Sequence, residues 1–206
     1  MRIEVEQLGK KFQREWIFRN VSLTLKQGQP CAFTGPNGSG KSTFLLMLAG
    51  LMPPTVGKVI YFQQDKALEE ETVYQQVSIA APYVELVEEF TLQEFLEFHT
   101  ALKPLQSGMT VSALLERMYL REARQKYIHQ FSSGMKQRLK LGISFYAQNP
   151  VLLLDEPCSN LDQQGIHWYQ EEVRRLIKDK LVVICSNQTY EYDFCQQVVD
   201  IVQYKR

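Results

Sequence analysis

Eight residues, Gly35-Pro36-Asn37-Gly38-Ser39-Gly40-Lys41-Ser42, have the spacing GxxxxGK[ST]. That pattern is the chemistry of a phosphate cradle. Glycines let the backbone turn so that its N–H groups point inward at phosphate oxygens. A helix beginning directly after the loop adds the positive end of its dipole. The Lys41 ammonium is expected to reach the β- and γ-phosphates of a nucleotide, and the Ser42 hydroxyl to coordinate Mg²⁺. Thr43 falls in the same first helical turn and is counted with the nucleotide-binding residues.

A second group of chemical residues follows the apolar run Val151-Leu152-Leu153-Leu154, which ends in Asp155-Glu156-Pro157. Carboxylates at the C-terminal end of a buried strand, beside a phosphate loop, can hold a metal and activate water. Asp155 is expected to bind Mg²⁺ through water. Glu156 is expected to polarise the attacking water as general base. Two acids at a strand end are common by themselves. Placed in order after the phosphate loop they become specific.

These residues need a scaffold of strands and helices. Ile3–Leu8 and Val21–Lys26 alternate apolar and polar, which predicts half-buried antiparallel strands. Residues 27–29 read as a turn, and Cys31–Thr34 as a short strand feeding the phosphate loop. Ser42–Leu51 predicts a helix stopped by Pro53-Pro54. Lys58–Gln63 and Val77–Ala81 read as further strands. From about Glu85 to Lys140 the pattern turns helical, acidic first and basic later, which predicts solvated helical faces. Val151–Leu154 and Leu181–Cys185 are buried strands joined by a helix from about Gln163 to Lys178. Strands alternating with helices predict an α/β fold, a mostly parallel sheet covered on both faces. One domain over residues 1–206 is expected. Residues 1–84 and 145–206 would form the α/β core with an N-terminal antiparallel β subdomain, and residues 85–144 an inserted helical subdomain.

Composition narrows the class. Apolar residues make up 45% and charged residues 22%, ordinary for a soluble globular protein. Formal net charge is zero, so there is no electrostatic argument for nucleic acid, and none is expected as a partner. Cys31, Cys158, Cys185 and Cys195 form no CxxC pair and have no histidine at ligand spacing. They read as buried thiols in a reducing compartment. The N-terminus has no apolar signal region. The longest apolar run, Phe44–Leu51, is far short of the ~20 residues that span a bilayer. A soluble protein is expected, so a transport role would require a partner that supplies the pore.

The segment upstream of the acidic strand narrows the choice further. Phe131-Ser132-Ser133-Gly134-Met135-Lys136-Gln137-Arg138 resembles the signature LSGGQ-x-Q-R of the ABC ATPases. Ser159-Asn160-Leu161-Asp162 resembles the D-loop of that family, SALD. Together with the phosphate loop and the acidic strand, the resemblance runs from Ile3 to about Asn187. It implies a P-loop NTPase, RecA-like fold and an ATP-hydrolysing cassette that uses ATP and Mg²⁺. It further implies a head-to-tail homodimer with ATP between one copy's phosphate loop and the other's signature helix. Ser132, Ser133 and Gly134 would then touch the partner's nucleotide, and Asp162 would face the partner's catalytic site. A separate transmembrane permease would dock on helices near Glu85–Glu89, placing the cassette in the cytoplasm at the inner face of the membrane. Adenine stacking in the family uses an aromatic ring ahead of the phosphate loop. The aligned residue is Phe12, with Trp16 as the alternative.

Three departures from the family pattern stand out. Ser133 replaces a glycine and Met135 a glutamine in the signature. Pro82 and Tyr83 stand where the family places its Q-loop glutamine, and Gln75 and Gln76 come before that strand. Asn187 stands where the family has its switch histidine. It can donate a hydrogen bond to the γ-phosphate but carries no charge. Slow turnover is the expectation. The sequence as a whole is read as the ATPase subunit of an ABC transporter. Its short single cassette resembles small stand-alone subunits, including those of the haem-export and cytochrome-c-maturation type. A non-transport ABC protein and an ATP-binding module with little hydrolysis are the alternatives.

Overall fold

The protein, seen in a computed structural model, is described over residues 1–205. Strands β1 (Arg2–Phe12) and β2 (Glu15–Lys26) form an antiparallel hairpin. Strand β3 (Cys31–Thr34) leads through the glycine-rich loop into helix α1 (Lys41–Leu48). Strands β4 (Val56–Gln63) and β5 (Lys66–Ala67) complete an antiparallel sheet in the order β2-β1-β4-β5. Strand β6 (Val77–Ala80) follows, then α2 (Leu92–Leu102), α3 (Val111–Arg117) and α4 (Ser133–Tyr146). Strand β7 (Val151–Asp155), α5 (Gln163–Leu176), β8 (Leu181–Cys185) and β9 (Gln197–Asp200) close the chain. The second sheet has the order β6-β7-β8-β3-β9 and every pair in it is parallel.

Alternate side chains of a strand point to opposite faces. Leu152 and Leu154 of β7, with Val182 and Ile184 of β8, enter a core shared with Leu96, Leu114, Leu139 and Tyr169 of the helices. Val151, Leu153, Leu181 and Val183 enter a second core with Phe44 and Leu48 of α1 and with Ile3 and Phe18 of the antiparallel sheet. Both faces of the parallel sheet are therefore covered. That is why β7 and β8 read as unbroken apolar runs while β1 and β2 alternate.

Parallel register levels the strand ends. Asp155 lies opposite Cys185, Cys185 opposite Phe33, and Leu154 opposite Ala80. The loops that follow β6, β7, β8 and β3 thus emerge side by side. Backbone bonds continue the alignment past the strands: Glu156 N–H donates to Cys185 O at 2.9 Å, and Ser186 N–H to Phe33 O at 3.1 Å.

Several element boundaries differ from the sequence expectation. Helix α1 ends at Leu48, before the prolines. Gly50 takes a positive φ of 72°, its N–H bonds Met47 O, and Leu51 N–H bonds Leu46 O. This Schellman motif stops the helix. Residues 85–89 are not helical. Helix α2 starts only where Thr91 and Glu94 form a capping box, which satisfies the first N–H groups. Instead of a helical face, residues 84–89 line a groove with Pro82, Lys136 and Lys140. Helix α5 stops at Leu176, two residues short. Strand β9 gave no clear sequence signal because it is only four residues long and half exposed.

A buried carboxylate ties three helices together. Glu172 on α5 is almost fully buried and accepts from the Tyr146 hydroxyl of α4. It also pairs with Arg175 at 2.7 Å and with Arg117 of α3 at 3.4 Å. Truncating it leaves a buried hydroxyl and two arginines without that acceptor. Glu172→Ala is expected to lower unfolding free energy by about 2–3 kcal/mol in urea denaturation. A loss below about 0.5 kcal/mol would mean the network contributes nothing net.

Candidate nucleotide site

A cavity of about 250 Å³ opens over the loop between β3 and α1, lined by Ile17, residues 37–43 and Glu156. Helices α2, α3, α4 and α5 each begin under a side chain that accepts a first-turn N–H, from Thr91, Thr110, Ser132 and Asp162. Helix α1 has no such cap, because its N-cap is Gly40. Its first-turn N–H groups face the cavity with the positive dipole end behind them, which suits an anion. Gly40 sits at φ +106°, and a methyl group there would come within 2.5 Å of Ile17 Cγ2. Gly38 also has a positive φ, +74°, but a methyl group there would meet open space.

The Lys41 side chain is buried and folds back over its own loop, donating to Gly35 O at 2.7 Å and Pro36 O at 3.3 Å. It thus lies along the cradle, held by carbonyls that a phosphate would replace. Asp155, only 2% exposed, sits behind the Ser42 hydroxyl. Burial pushes its carboxyl above the ordinary range and the neighbouring Glu156 adds to this. The hydrogen bond from Ser42 and the charge of Lys41 pull the other way. A hydroxyl and a carboxylate side by side are hard oxygen donors, a set that fits Mg²⁺. Glu156 lines the cavity at φ +45°, an uncommon conformation for a residue with a side chain.

Asn187 is brought to the loop by the end of β8. Its Oδ1 accepts from Gly35 N–H at 3.1 Å, and its Nδ2 lies 3.5 Å from Asn37 Oδ1. Phe12 is not part of the cavity wall. It lies at the β1–β2 hairpin, 45% exposed, with the Lys10 ammonium 5.2 Å from its ring centre. Trp16 is likewise outside the lining and carries Lys11 over its ring. The residue of β2 that lines the cavity is Ile17, with Phe18 also close to Gly40. The sequence did not single Ile17 out, because it lies before the alternating run Val21–Lys26 and carries no polar group.

Tyr83 was singled out as a departure, yet its contact was not foreseen. The register of β6 against β7 carries it beside Asp155. Burial first, then the Asp155 charge, push the Tyr83 hydroxyl above its ordinary value.

Residues from the other motifs lie elsewhere. Ser132, Ser133, Gly134 and Met135 line a separate pocket of about 330 Å³ with Tyr119, Arg138 and Asp162. The Ser132 hydroxyl caps α4 by accepting from Met135 N–H at 3.2 Å. A methyl group on Gly134 would approach Asn160 O to 3.0 Å, so glycine permits α4 to start against the segment around Asp162. Asp162 caps α5 through Gly165 N–H at 2.8 Å and pairs with Arg138 at 3.2 Å. Those contacts hold its carboxyl below the usual carboxylate range. The two pockets share no lining residue.

A parallel sheet whose β3 strand runs through GxxxxGK[ST] into an uncapped helix, with two acids at the end of a nearby strand, defines a P-loop nucleotide-binding protein. A model of the ABC transporter family matches residues 18–159, and the chain belongs to that family. It is 33% identical over 202 residues to the ABC transporter ATP-binding protein YxlF of Bacillus subtilis, covering 96% of this chain and 66% of the relative. Identity to YcbN of the same organism is 30% over 176 residues, covering 85% of this chain and 56% of the relative. The chain thus spans about half to two thirds of these relatives' lengths. Among solved structures, the dimeric bacterial ABC transporter cassette MJ0796 matches with a TM-score of 0.81 at 20% identity. That match covers 97% of this chain and 95% of the other, and it shows the shared fold.

The two loop glycines should separate in a titration with a fluorescent ATP analogue. Gly38→Ala costs only the positive φ, about 1–2 kcal/mol, or roughly tenfold in affinity if borne by the binding conformation. Gly40→Ala adds the overlap with Ile17, worth about 1–3 kcal/mol more, and is expected to bind at least tenfold more weakly than Gly38→Ala. Equal affinities would show that Ile17 yields.

Proposed function

We propose that the chain binds and hydrolyses Mg-ATP as the ATP-binding subunit of a transporter, working as a dimer that drives a separate membrane subunit. One observation carries this: the phosphate cavity and the pocket around Ser132–Gly134 are separate half-sites with no residue in common. A second copy would bring its signature half over the first copy's phosphate half. The solved MJ0796 cassette is dimeric, and another structure of it is a post-hydrolysis state bound to ADP and Pi.

In the proposed cycle the first-turn N–H groups of α1 cap the phosphates, and Lys41 leaves the Gly35 and Pro36 carbonyls for the β- and γ-phosphates. Ser42 and Asp155 would hold Mg²⁺, which when bound offsets the charge of the phosphate oxygens. Glu156 accepts a proton from the attacking water as general base, and Asn187 donates from Nδ2 to the γ-phosphate. From the partner copy, Ser132, Ser133 and Gly134 offer a hydroxyl and helix-terminal N–H groups, with Asp162 beside them. Phe12 as the adenine platform requires Lys10 to leave its ring face. Closing on ATP and opening after hydrolysis would move the permease between two states. The groove beside residues 84–89 is the proposed docking place. No helix among the described residues is long and apolar enough to cross a membrane. The cassette is proposed to sit at the cytoplasmic face, with residues 85–144 acting as the helical subdomain.

Slow turnover is part of the proposal, because Asn187 lacks a charge and Met135 cannot hydrogen-bond a sugar. Glu156→Gln is expected to retain ATP, lose turnover and elute as an ATP-dependent dimer in size exclusion. A monomer at every ATP and protein concentration would exclude the sandwich. Asn187→His is expected to raise kcat by about tenfold, and an unchanged or lower rate would reject that role for the position.

A further inference from the structure

The peptide bond between Pro157 and Cys158, one residue beyond Glu156, is held at both polar atoms by buried side chains from distant parts of the chain. Gln137 Nε2 donates to the Pro157 carbonyl at 2.7 Å. Glu191 Oε1 accepts from Cys158 N–H, also at 2.7 Å. Gln137 and Glu191 are 5% and 2% exposed. Gln137 lies one turn into α4, the helix whose N-terminus carries Ser132, Ser133 and Gly134. Glu191 lies four residues beyond Asn187, in the short turn Thr189–Glu191. That turn is itself fixed: the Tyr169 hydroxyl of α5 donates to Glu191 O at 2.8 Å, and Glu191 N–H donates to Gln188 O at 2.9 Å.

Burying a carboxylate and a primary amide is costly unless each makes firm hydrogen bonds. Desolvation raises the Glu191 carboxyl; the Cys158 N–H on Oε1 opposes that rise, while Oε2 is buried with no hydrogen-bond partner among the described residues. The chain accepts that cost beside a residue in an uncommon conformation. Glu156 at φ +45° stays there only if its surroundings over-determine it. Its own N–H is fixed to Cys185 O, and the Pro157–Cys158 peptide anchors the side after it.

We propose that Gln137 and Glu191 are positioning residues that fix Glu156 through the Pro157–Cys158 peptide. They join the helix of Ser132–Gly134 on one side to the turn of Asn187 on the other. A shift of α4 pulls on the carbonyl, and a shift of the Asn187 turn pulls on the N–H of the same rigid plane. Either displacement reaches Glu156 through one intervening residue. The inference rests on Glu156 acting as general base.

The test uses Gln137→Met and Glu191→Met, which keep side-chain length and remove the polar grip. Each is expected to lower kcat by about tenfold or more while KM for ATP stays within about twofold. A packing role alone would change stability and KM but leave kcat per folded molecule intact. Glu191→Gln keeps an oxygen acceptor for Cys158 N–H and is expected to recover most of the lost turnover. Should a Met variant fail to fold, Gln137→Asn and Glu191→Asp shorten the reach and serve the same comparison. Amide exchange at Cys158 reads the grip without turnover and is expected to quicken about tenfold in the shortened or apolar variants. Unchanged kcat in both Met variants, a Glu191→Gln variant as slow as Glu191→Met, or unchanged exchange at Cys158 overturns the proposal. If wild-type protein binds ATP without turnover, the general-base reading of Glu156 fails, and exchange at Cys158 alone decides whether the grip exists.

Discussion

Parallel pairing of β6, β7, β8 and β3 sets four strand ends level, and the core of the phosphate site hangs from those ends. The glycine-rich loop leaves β3, Asn187 leaves β8, Asp155 ends β7 with Glu156 directly after it, and Tyr83 leaves β6. A slip of one residue in any pair would turn that strand's core side chains to the wrong face. Both faces of β7 are buried, so a slip would exchange Leu152 and Leu154 of one core with Val151 and Leu153 of the other and disturb the close packing of both. The apolar packing of the strands and the alignment of the polar site are therefore one constraint.

The electrostatics of the site follow from what α1 lacks. Four other helices spend a side chain on their first turn; α1 begins on Gly40 and spends none. A helix end without a cap is costly unless another anion or water fills the place. Lys41, turned toward Gly35 and Pro36 carbonyls, leaves that end open while keeping its ammonium hydrogen-bonded. Asp155 is buried next to it, stabilised in its charged form by Ser42 and Lys41 and destabilised by burial and Glu156.

The short segment after Glu156 is where the two halves of the molecule meet. Pro157 is gripped from α4, Cys158 from the turn beyond β8, and Asp162 both caps α5 and pairs with Arg138 of α4. Six residues thus connect the cavity over the glycine-rich loop to the pocket around Ser132–Gly134 within one chain. Gly134 belongs to the same junction, because its missing side chain lets α4 pack onto Asn160.

Much of this was legible in the sequence, and for local reasons. The phosphate loop, the acidic strand end and the buried runs of β7 and β8 are encoded by residues adjacent in the chain, so spacing and hydrophobic pattern suffice to read them. Boundaries set by local competition were read less well. Gly50 outran the prolines in ending α1, and the Thr91–Glu94 capping box placed the start of α2 beyond the acidic run. Contacts between residues far apart in sequence carried no local signal. Tyr83 against Asp155, Ile17 under Gly40, and Gln137 and Glu191 on one peptide exist only because parallel register and helix packing bring distant segments together. The sequence by itself determined the types and spacing of the groups proposed to bind phosphate and activate water. The tertiary structure decided what holds those groups in place, because the orientation of a side chain depends on neighbours that chain order does not specify.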